Sequence, residues 1–184
     1  MLATQATDAE LISRSLAEPE AFAAIFERHY ADVHRYLARR IGSHGADDLA
    51  AATFTTAFAQ RRRFVPQHDS ARPWLFGIAT KLLLGERRRE RRMLQRIARL
   101  AAQERPSLGA VYPGPDGLDG PLAAALRAMN PGRRDALLLL AWAELSYEEI
   151  AVALSLRVGT VRSRISRARR ELRERLQPDP KEAR

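Results

Sequence analysis

Apolar positions recur with the 3.6-residue period of an amphipathic helix along most of the chain, and no stretch of useful length alternates as a strand would. Leu11, Ile12 and Leu16 share one face of a short first helix that Asp8 can cap. Pro19 suits the first turn of the next helix, where Phe22, Ile25, Phe26, Tyr30, Val33, Tyr36 and Leu37 keep the spacing until Gly42 ends it. A third helix is expected from Asp47 through Leu49, Phe54 and Phe58 to Arg63. A loop from Phe64 to Arg72 then leads through Pro73 into a fourth, which begins apolar with Trp74, Leu75, Ile78, Leu82 and Leu83. It turns strongly basic as GERRRERRMLQR. Most of the aromatic residues read as core.

Periodicity then stops. Residues 105–120, RPSLGAVYPGPDGLDG, hold three prolines and four glycines, the composition of a flexible linker. A short helix is expected from Leu122 to Met129, and Asn130-Pro131 starts another whose Leu137 to Leu140 run must be buried. Ser146-Tyr-Glu-Glu149 is a capping box, with Leu145 and Ile150 placed as a hydrophobic staple, so a third helix start is sharply specified. A turn from Ser155 to Val158 leads into a last helix carrying Val161, Ile165, Ala168 and Leu172. The expected fold is therefore all-α. Two small helical domains, residues 1–104 and 121–177, are joined by the linker 105–120 and followed by a frayed tail, 178–184. Whether the two domains pack together is left open.

Charge narrows the class of partner. The chain has 184 residues, with 31 Lys+Arg against 22 Asp+Glu and a net charge of +9, which points to nucleic acid or another polyanion. With no cysteine there is no disulfide framework, zinc finger, iron–sulfur cluster or thiol nucleophile. The longest apolar run, Ala136 to Ala143, is far below the ~18 residues of a membrane span. The N-terminus lacks the pattern of a secretory signal, so a cytoplasmic protein without membrane insertion is expected. The basic surplus concentrates in Arg87 to Arg99 and Arg157 to Arg175, one cluster on each side of the linker.

The second cluster lies on the second helix of a helix-turn-helix pattern. At 100° per residue, Val161, Ile165, Ala168 and Leu172 fall within about 60° of one another and must face the core. Ser163, Ser166, Arg167 and Arg170 occupy the opposite face, flanked by Arg162, Arg164, Arg169 and Arg173. Arginine can pair with guanine O6 and N7, serine with either base type, and flanking arginines with phosphates. A merely solvated face would mix signs at i,i+4 spacing, whereas Glu171 and Glu174 come only at the C-terminal end. The first cluster, on the helix after Trp74, is preceded by Arg61, Arg62, Arg63, Phe64 and His68. Aromatics interleaved with arginines suit unstacked bases and a single-strand backbone.

Catalysis is not expected. His29, His34, His44 and His68 form no HExxH or paired-ligand spacing, and neither GxxxxGK[ST] nor GxSxG occurs. Asp47 and Asp48 near His44 read as polar surface at a helix start rather than as a metal site. No metal or cofactor is called for.

Three segments, GADDLAAATFTTAF (45–58), RPWLFGIATKLLLGERRR (72–89) and LSYEEIAVALSLRVGTVRSRISRARREL (145–172), resemble the bacterial RNA polymerase sigma factors of the extracytoplasmic-function (ECF) group. Residues 19–92 look like the σ2 domain and 121–176 like σ4. The resemblance implies a protein that binds core RNA polymerase and directs promoter-specific initiation. It implies that Asp47, Asp48, Leu49, Thr53, Phe54 and Ala57 pack on the β′ clamp helices. Arg61, Arg62, Arg63, Phe64, His68, Trp74, Lys81, Arg87 and Arg88 would hold the melted −10 strand with a flipped base. The σ4 domain would grip the β-flap tip and set Arg157, Thr160, Arg162, Ser163, Arg164, Ser166, Arg167 and Arg170 at the −35 duplex. The linker would thread toward the active-site and RNA-exit channels, and many members are held inactive by an anti-sigma factor. The chain departs from the family in having Ala51-Ala52 for the usual Gln-Glu, and Lys81 and Gly85 for Asn and Asp. Arg157 replaces a serine cap and could bind a phosphate instead. The competing reading is a stand-alone helix-turn-helix regulator with an N-terminal sensing domain. It needs only duplex binding, and the aromatic-basic helix at 74–92 argues against it.

Overall fold

The computed structural model describes residues 6–66, 70–101 and 120–176. His68, the linker apart from Gly120, and the tail 178–184 lie outside the described residues. Among the described residues every regular element is helical. These are α1 (Asp8–Arg14), α2 (Ala23–Ile41), α3 (Ser43–Gln60), α4 (Arg72–Ala101), α5 (Pro121–Ala128), α6 (Pro131–Trp142), α7 (Tyr147–Leu154) and α8 (Val158–Leu176). Short 3-10 turns at Pro19–Phe22 and Arg61–Arg63 precede α2 and follow α3. No helix among the described residues is long and apolar enough to cross a membrane.

Local chemistry sets the helix starts. Ser146 and Glu149 close the expected capping box on α7: the Ser146 hydroxyl accepts the Glu149 N–H at 3.1 Å, and the Glu149 carboxylate accepts the Ser146 N–H at 2.8 Å. Asn130 caps α6 by accepting the Gly132 N–H at 3.0 Å. At α1 the cap is Thr7, not Asp8. Thr7 and Glu10 satisfy one another reciprocally, which moves Asp8 into the first helical position and leaves its carboxylate free for other donors. α3 begins at Ser43, four residues earlier than expected. Gly42, at φ 86°, reverses the chain in one residue, so no separate loop is needed between α2 and α3.

α2, α3 and α4 pack with α1 as one group, and α5, α6 and α7 pack around α8 as a second. The two groups meet along α4 and α7, and their cores are continuous: Ile25, Val33, Leu37, Leu75 and Leu83 join Leu139, Leu145, Ile150 and Ile165 in one buried cluster. Gly77 makes that seam possible. A Cβ there would lie 2.6 Å from the Ala153 carbonyl oxygen, well inside contact distance. An ion pair crosses the same boundary. Arg40 of α2, 1% exposed, donates to the Asp135 carboxylate of α6 at 2.6 Å and to the Tyr36 hydroxyl at 2.7 Å. Burial disfavours the Arg40 charge, but Tyr36 and Asp135 outweigh it and hold the guanidinium more firmly protonated than usual. Arg72 adds a bond to the Ala143 carbonyl at 2.7 Å.

Candidate nucleic-acid interface

Helix α8 is held by one face. Val161, Ile165 and Ala168 are buried against α5, α6 and α7, as the wheel predicts, and Leu172 is half-buried. The αL conformation of Ser155 (φ 54°) turns the chain between α7 and α8, with the Leu156 N–H returned to the Ala151 carbonyl at 2.8 Å. That turn presents Arg157, Thr160, Arg162, Ser166, Arg167 and Arg170 to solvent. Ser163 and Arg164 are half-buried. The Arg164 guanidinium comes within 3.0 Å of where a Gly132 Cβ would sit, so it lies over the start of α6. The acids at the far end of α8 are occupied. Glu171 accepts Arg133 at 3.3 Å and Arg175 at 2.9 Å, and Glu174 pairs with Arg170 at 3.7 Å. Among the described residues, Arg157, Arg162 and Arg167 have no ion-pair partner. The exposed first turns of α8 therefore carry unneutralised positive charge.

The second basic surface divides on inspection. Arg62, Arg63, Lys81 and Arg88 are exposed. Trp74, in the first turn of α4, is half-buried, its ring 5.0 Å from that of Phe64 and tilted against it. Arg61 and Arg87, expected on the strand, are turned inward. Arg61 lies 3.9 Å over the Phe58 ring and donates to the Phe58 carbonyl in the last turn of α3 and to the Ser15 carbonyl just past the end of α1. Arg87 donates to the Arg40 carbonyl at 3.0 Å. Burial and the Arg40 and Arg134 cations lower its pKa to about 10. Trp74, Gly77 and Lys81 of α4 line a groove with Thr56 and Gln60 of α3, Val152 of α7 and Ser155 in the turn after it.

The residues expected on the polymerase split by helical phase. Asp47 and Asp48 are exposed and Leu49 is half-buried, but Thr53, Phe54 and Ala57 are core. They share the inward face of α3 with Ala46 and Ala50, and the Thr53 hydroxyl is spent on the Leu49 carbonyl at 2.7 Å. They support the surface without forming it. The exposed positions on that helix are Ser43, His44, Ala51, Thr55, Ala59 and Gln60 with the two aspartates.

The sequence agrees with this architecture. Residues 25–93 match the family model for Sigma-70 region 2, and residues 120–172 match that for Sigma-70, region 4. SigC, an ECF RNA polymerase sigma factor of Mycobacterium tuberculosis, is 31% identical over 95% of this chain and 94% of its own length. CarQ, an RNA polymerase sigma factor of Myxococcus xanthus, is 30% identical over 84% of this chain and 88% of its own. The chain belongs to the ECF sigma factor family. SigE of Mycolicibacterium smegmatis is 36% identical over 80% of this ECF sigma factor, which spans 58% of the SigE length. Among solved structures, the sigma factor RpoE of Bartonella quintana, in complex with the anti-sigma factor NepR, superposes with a TM-score of 0.63. It is 25% identical, over 87% of this chain and 99% of its own. CnrH, solved with the cytosolic domain of CnrY, shares the fold at a TM-score of 0.60 and 24% identity, over 91% and 95%.

Two features of this ECF sigma factor escaped the sequence reading. Phe26 is 43% exposed yet packs at 4.8 Å on Tyr30 and edge-to-face at 5.0 Å on Phe54, with Tyr30 in turn 5.7 Å from His34 and His34 bonded to Asp47 at 2.9 Å. Its spacing in α2 matches the core residues, which hid its exposure. The other feature is the Asp8 carboxylate. It is 4% exposed and takes His29 Nε2 at 2.6 Å, Arg28 Nη1 at 3.1 Å and the Ala71 N–H at 2.7 Å. Burial alone would raise its pKa, but the hydrogen bonds from His29, Ala71 and Arg28 and the His29 charge together bring it down to about 2. No local pattern reveals a contact spanning 63 residues.

Proposed function

We propose that this ECF sigma factor associates with core RNA polymerase and directs promoter-specific initiation through two separate DNA contacts. The observation that carries the reading is the outward face of α8, where Arg157, Arg162 and Arg167 stand unpaired among the described residues beside exposed Thr160 and Ser166. Helix-turn-helix geometry delivers such a face to a major groove, where Arg167 and Ser166 can read base edges of a −35 element and Arg157, Arg162 and Arg170 can hold phosphates. Ser163 and Arg164, being half-buried, contribute from the edge of that face.

The −10 strand is assigned to the loop before α4 and to the exposed side of α4 itself. Trp74 and Phe64 offer a stacking platform, and Arg62, Arg63, Lys81 and Arg88 offer backbone charge. Arg61 and Arg87 serve the fold around that surface. Domain limits at 104 and 121 are taken from the composition of the intervening segment, and a family match on each side of it, over 25–93 and 120–172, supports the division. Core polymerase is assigned to the exposed edge of α3, with Asp47, Asp48 and Leu49, on the β′ clamp helices, and to σ4 on the β flap. An anti-sigma factor is the expected regulator, since two structural relatives were solved with a bound protein partner. The protein performs no chemistry of its own in this reading and works in the cytoplasm beside polymerase.

Core polymerase mixed with the protein and a promoter library tests this directly. Initiation that requires the protein, and selection of a two-part promoter, are expected. Tight binding to a palindromic duplex by the protein alone, with no effect on polymerase, would establish the stand-alone regulator instead.

A further inference from the structure

We propose that the groove between α3, α4 and α7 is a binding site for a small aromatic anion, an aryl or indolyl carboxylate, which joins the two helical groups by filling the space between them. Such binding needs neither DNA nor polymerase, so it stands or falls apart from the function proposed above.

Three helices wall the groove. Thr56 and Gln60 come from α3, Trp74 and Lys81 from α4, Val152 from α7, and Ser155 from the turn that follows α7. The first four belong to one helical group and the last two to the other, so a ligand that fills the groove touches both. Tighter packing cannot remove the space. At Gly77 the backbone of α4 already meets that of α7, where a Cβ would lie 2.6 Å from the Ala153 carbonyl oxygen.

The polar groups that converge there are unspent. Among the described residues, the side chains of Thr56, Gln60, Lys81 and Ser155 make no hydrogen bond or ion pair, and the Trp74 indole N–H has no acceptor. Small-molecule sites combine apolar and aromatic walls with a few convergent polar groups, often where two domains meet, in cavities of about 300–1,000 Å³. This cavity, about 280 Å³, is at the foot of that range. It suits a one- or two-ring molecule rather than a nucleotide or a peptide. Charge sets the sign of the ligand. Lys81 is the one charged side chain among the described residues that line the groove. Its ammonium stands beside low-dielectric walls, which strengthen its attraction for an anion. The half-buried Trp74 ring offers a face for offset stacking. Thr56, Gln60 and Ser155 can donate to carboxylate oxygens. An acid without a ring would bury too little surface, and a ring without a charge would leave Lys81 unmatched.

The test is calorimetric titration of the full chain with indole-3-acetate. One site per chain is expected, with a dissociation constant of about 0.1–1 mM, the range open to a ligand of this size. The neutral indole-3-ethanol should bind about tenfold more weakly, and acetate should not bind. Three variants probe the three walls. Thr56→Phe fills the α3 side, Lys81→Met removes the charge on α4, and Val152→Asp repels an anion from α7. Each is expected to weaken binding about tenfold or more, with the circular dichroism spectrum unchanged. Lys81 is exposed, so its variant keeps the fold in any case. If Val152→Asp does not fold, Val152→Ala takes its place, with an expected loss of about threefold. Absence of saturable heat up to about 10 mM probe overturns the proposal. So does equal binding of indole-3-ethanol, or unchanged binding in Lys81→Met or Thr56→Phe. Tighter binding of deoxyadenosine 5′-monophosphate than of indole-3-acetate overturns the ligand class. Loss in the α3 and α4 variants with none in the α7 variants confines the ligand to one helical group and overturns the bridge.

Discussion

Removing Asp135 should separate the two helical groups. Arg40 and Asp135 are 1% and 3% exposed, 2.6 Å apart, and belong to α2 and α6, on opposite sides of the seam. Truncating one member of a buried pair leaves an uncompensated charge and costs about 3–5 kcal/mol. In Asp135→Ala the Arg40 guanidinium keeps its Tyr36 bond, and Tyr36 cannot neutralise it. The chain can escape the penalty only by opening α4 from α7 so that water reaches Arg40. The expected outcome is a fall in unfolding midpoint of about 6–20 °C, taking 2–4 °C per kcal/mol for a chain of this size. A lower donor–acceptor transfer efficiency between dyes on the two groups should accompany it. Because the sequence lacks cysteine, Thr55→Cys and Arg169→Cys, both exposed, provide a unique labelling pair. Arg40→Met with Asp135→Leu should recover most of the loss, since an apolar pair of similar volume removes both the charge and its desolvation. A midpoint shift below about 2 °C in Asp135→Ala, or a double variant as unstable as the single, would refute the reasoning.

Three more outcomes follow from particular contacts. Gly77→Ala places a methyl 2.6 Å from a backbone carbonyl that cannot step aside, and should cost about 1–3 kcal/mol in thermal or denaturant unfolding while lowering the same transfer efficiency. Arg167→Ala should reduce discrimination at one −35 position by about 1–3 kcal/mol, seen as a flattened preference in promoter selection with core assembly unchanged. The Asp8 carboxylate has a pKa of about 2 in the folded chain against 3.8 for an unperturbed group, so its stabilisation is complete above 3.8 and is lost as pH falls toward 2. Asp8→Asn should abolish that part of the acid unfolding profile, about 2 kcal/mol in the wild type, measured by denaturant titration between pH 5 and pH 2.

What could be read from the sequence was local. The α7 capping box needs only four consecutive residues, and the buried stripe of α8 needs only its period, so both match the structure. The start of α1 went astray for a reason equally local: Thr7 and Glu10 form a reciprocal box that outcompetes Asp8. α3 began early because a positive-φ glycine can end one helix and open the next without a loop. The site was harder. Arg61 and Arg87 lie in basic runs and look solvent-directed, yet each is drawn inward by a carbonyl that only the folded chain brings near, of Ser15 and Arg40 respectively. Thr53, Phe54 and Ala57 fall in a motif that reads as surface, yet they face the core and only neighbouring positions on the same helix are exposed. Arg40 sits in the last turn of α2, where a basic residue is unremarkable, and nothing nearby in sequence points to Asp135, 95 residues on. Single-sequence periodicity reports which face is buried, not which distant group answers it.

The close approach at Gly77 makes α7 a competitor. α7 packs on α4 at Gly77 and walls the groove that Trp74 and Lys81 line, so any strand or protein that requires the part of α4 that α7 covers must displace α7 first. The observed affinity of such a ligand is its intrinsic affinity multiplied by the fraction of molecules with the groove free. Every interaction that tightens the seam, Arg40 with Asp135 included, is then a term in the binding constant of a ligand it never touches. By the same linkage, a partner that grips the two helical groups separately increases strand affinity without contacting the strand.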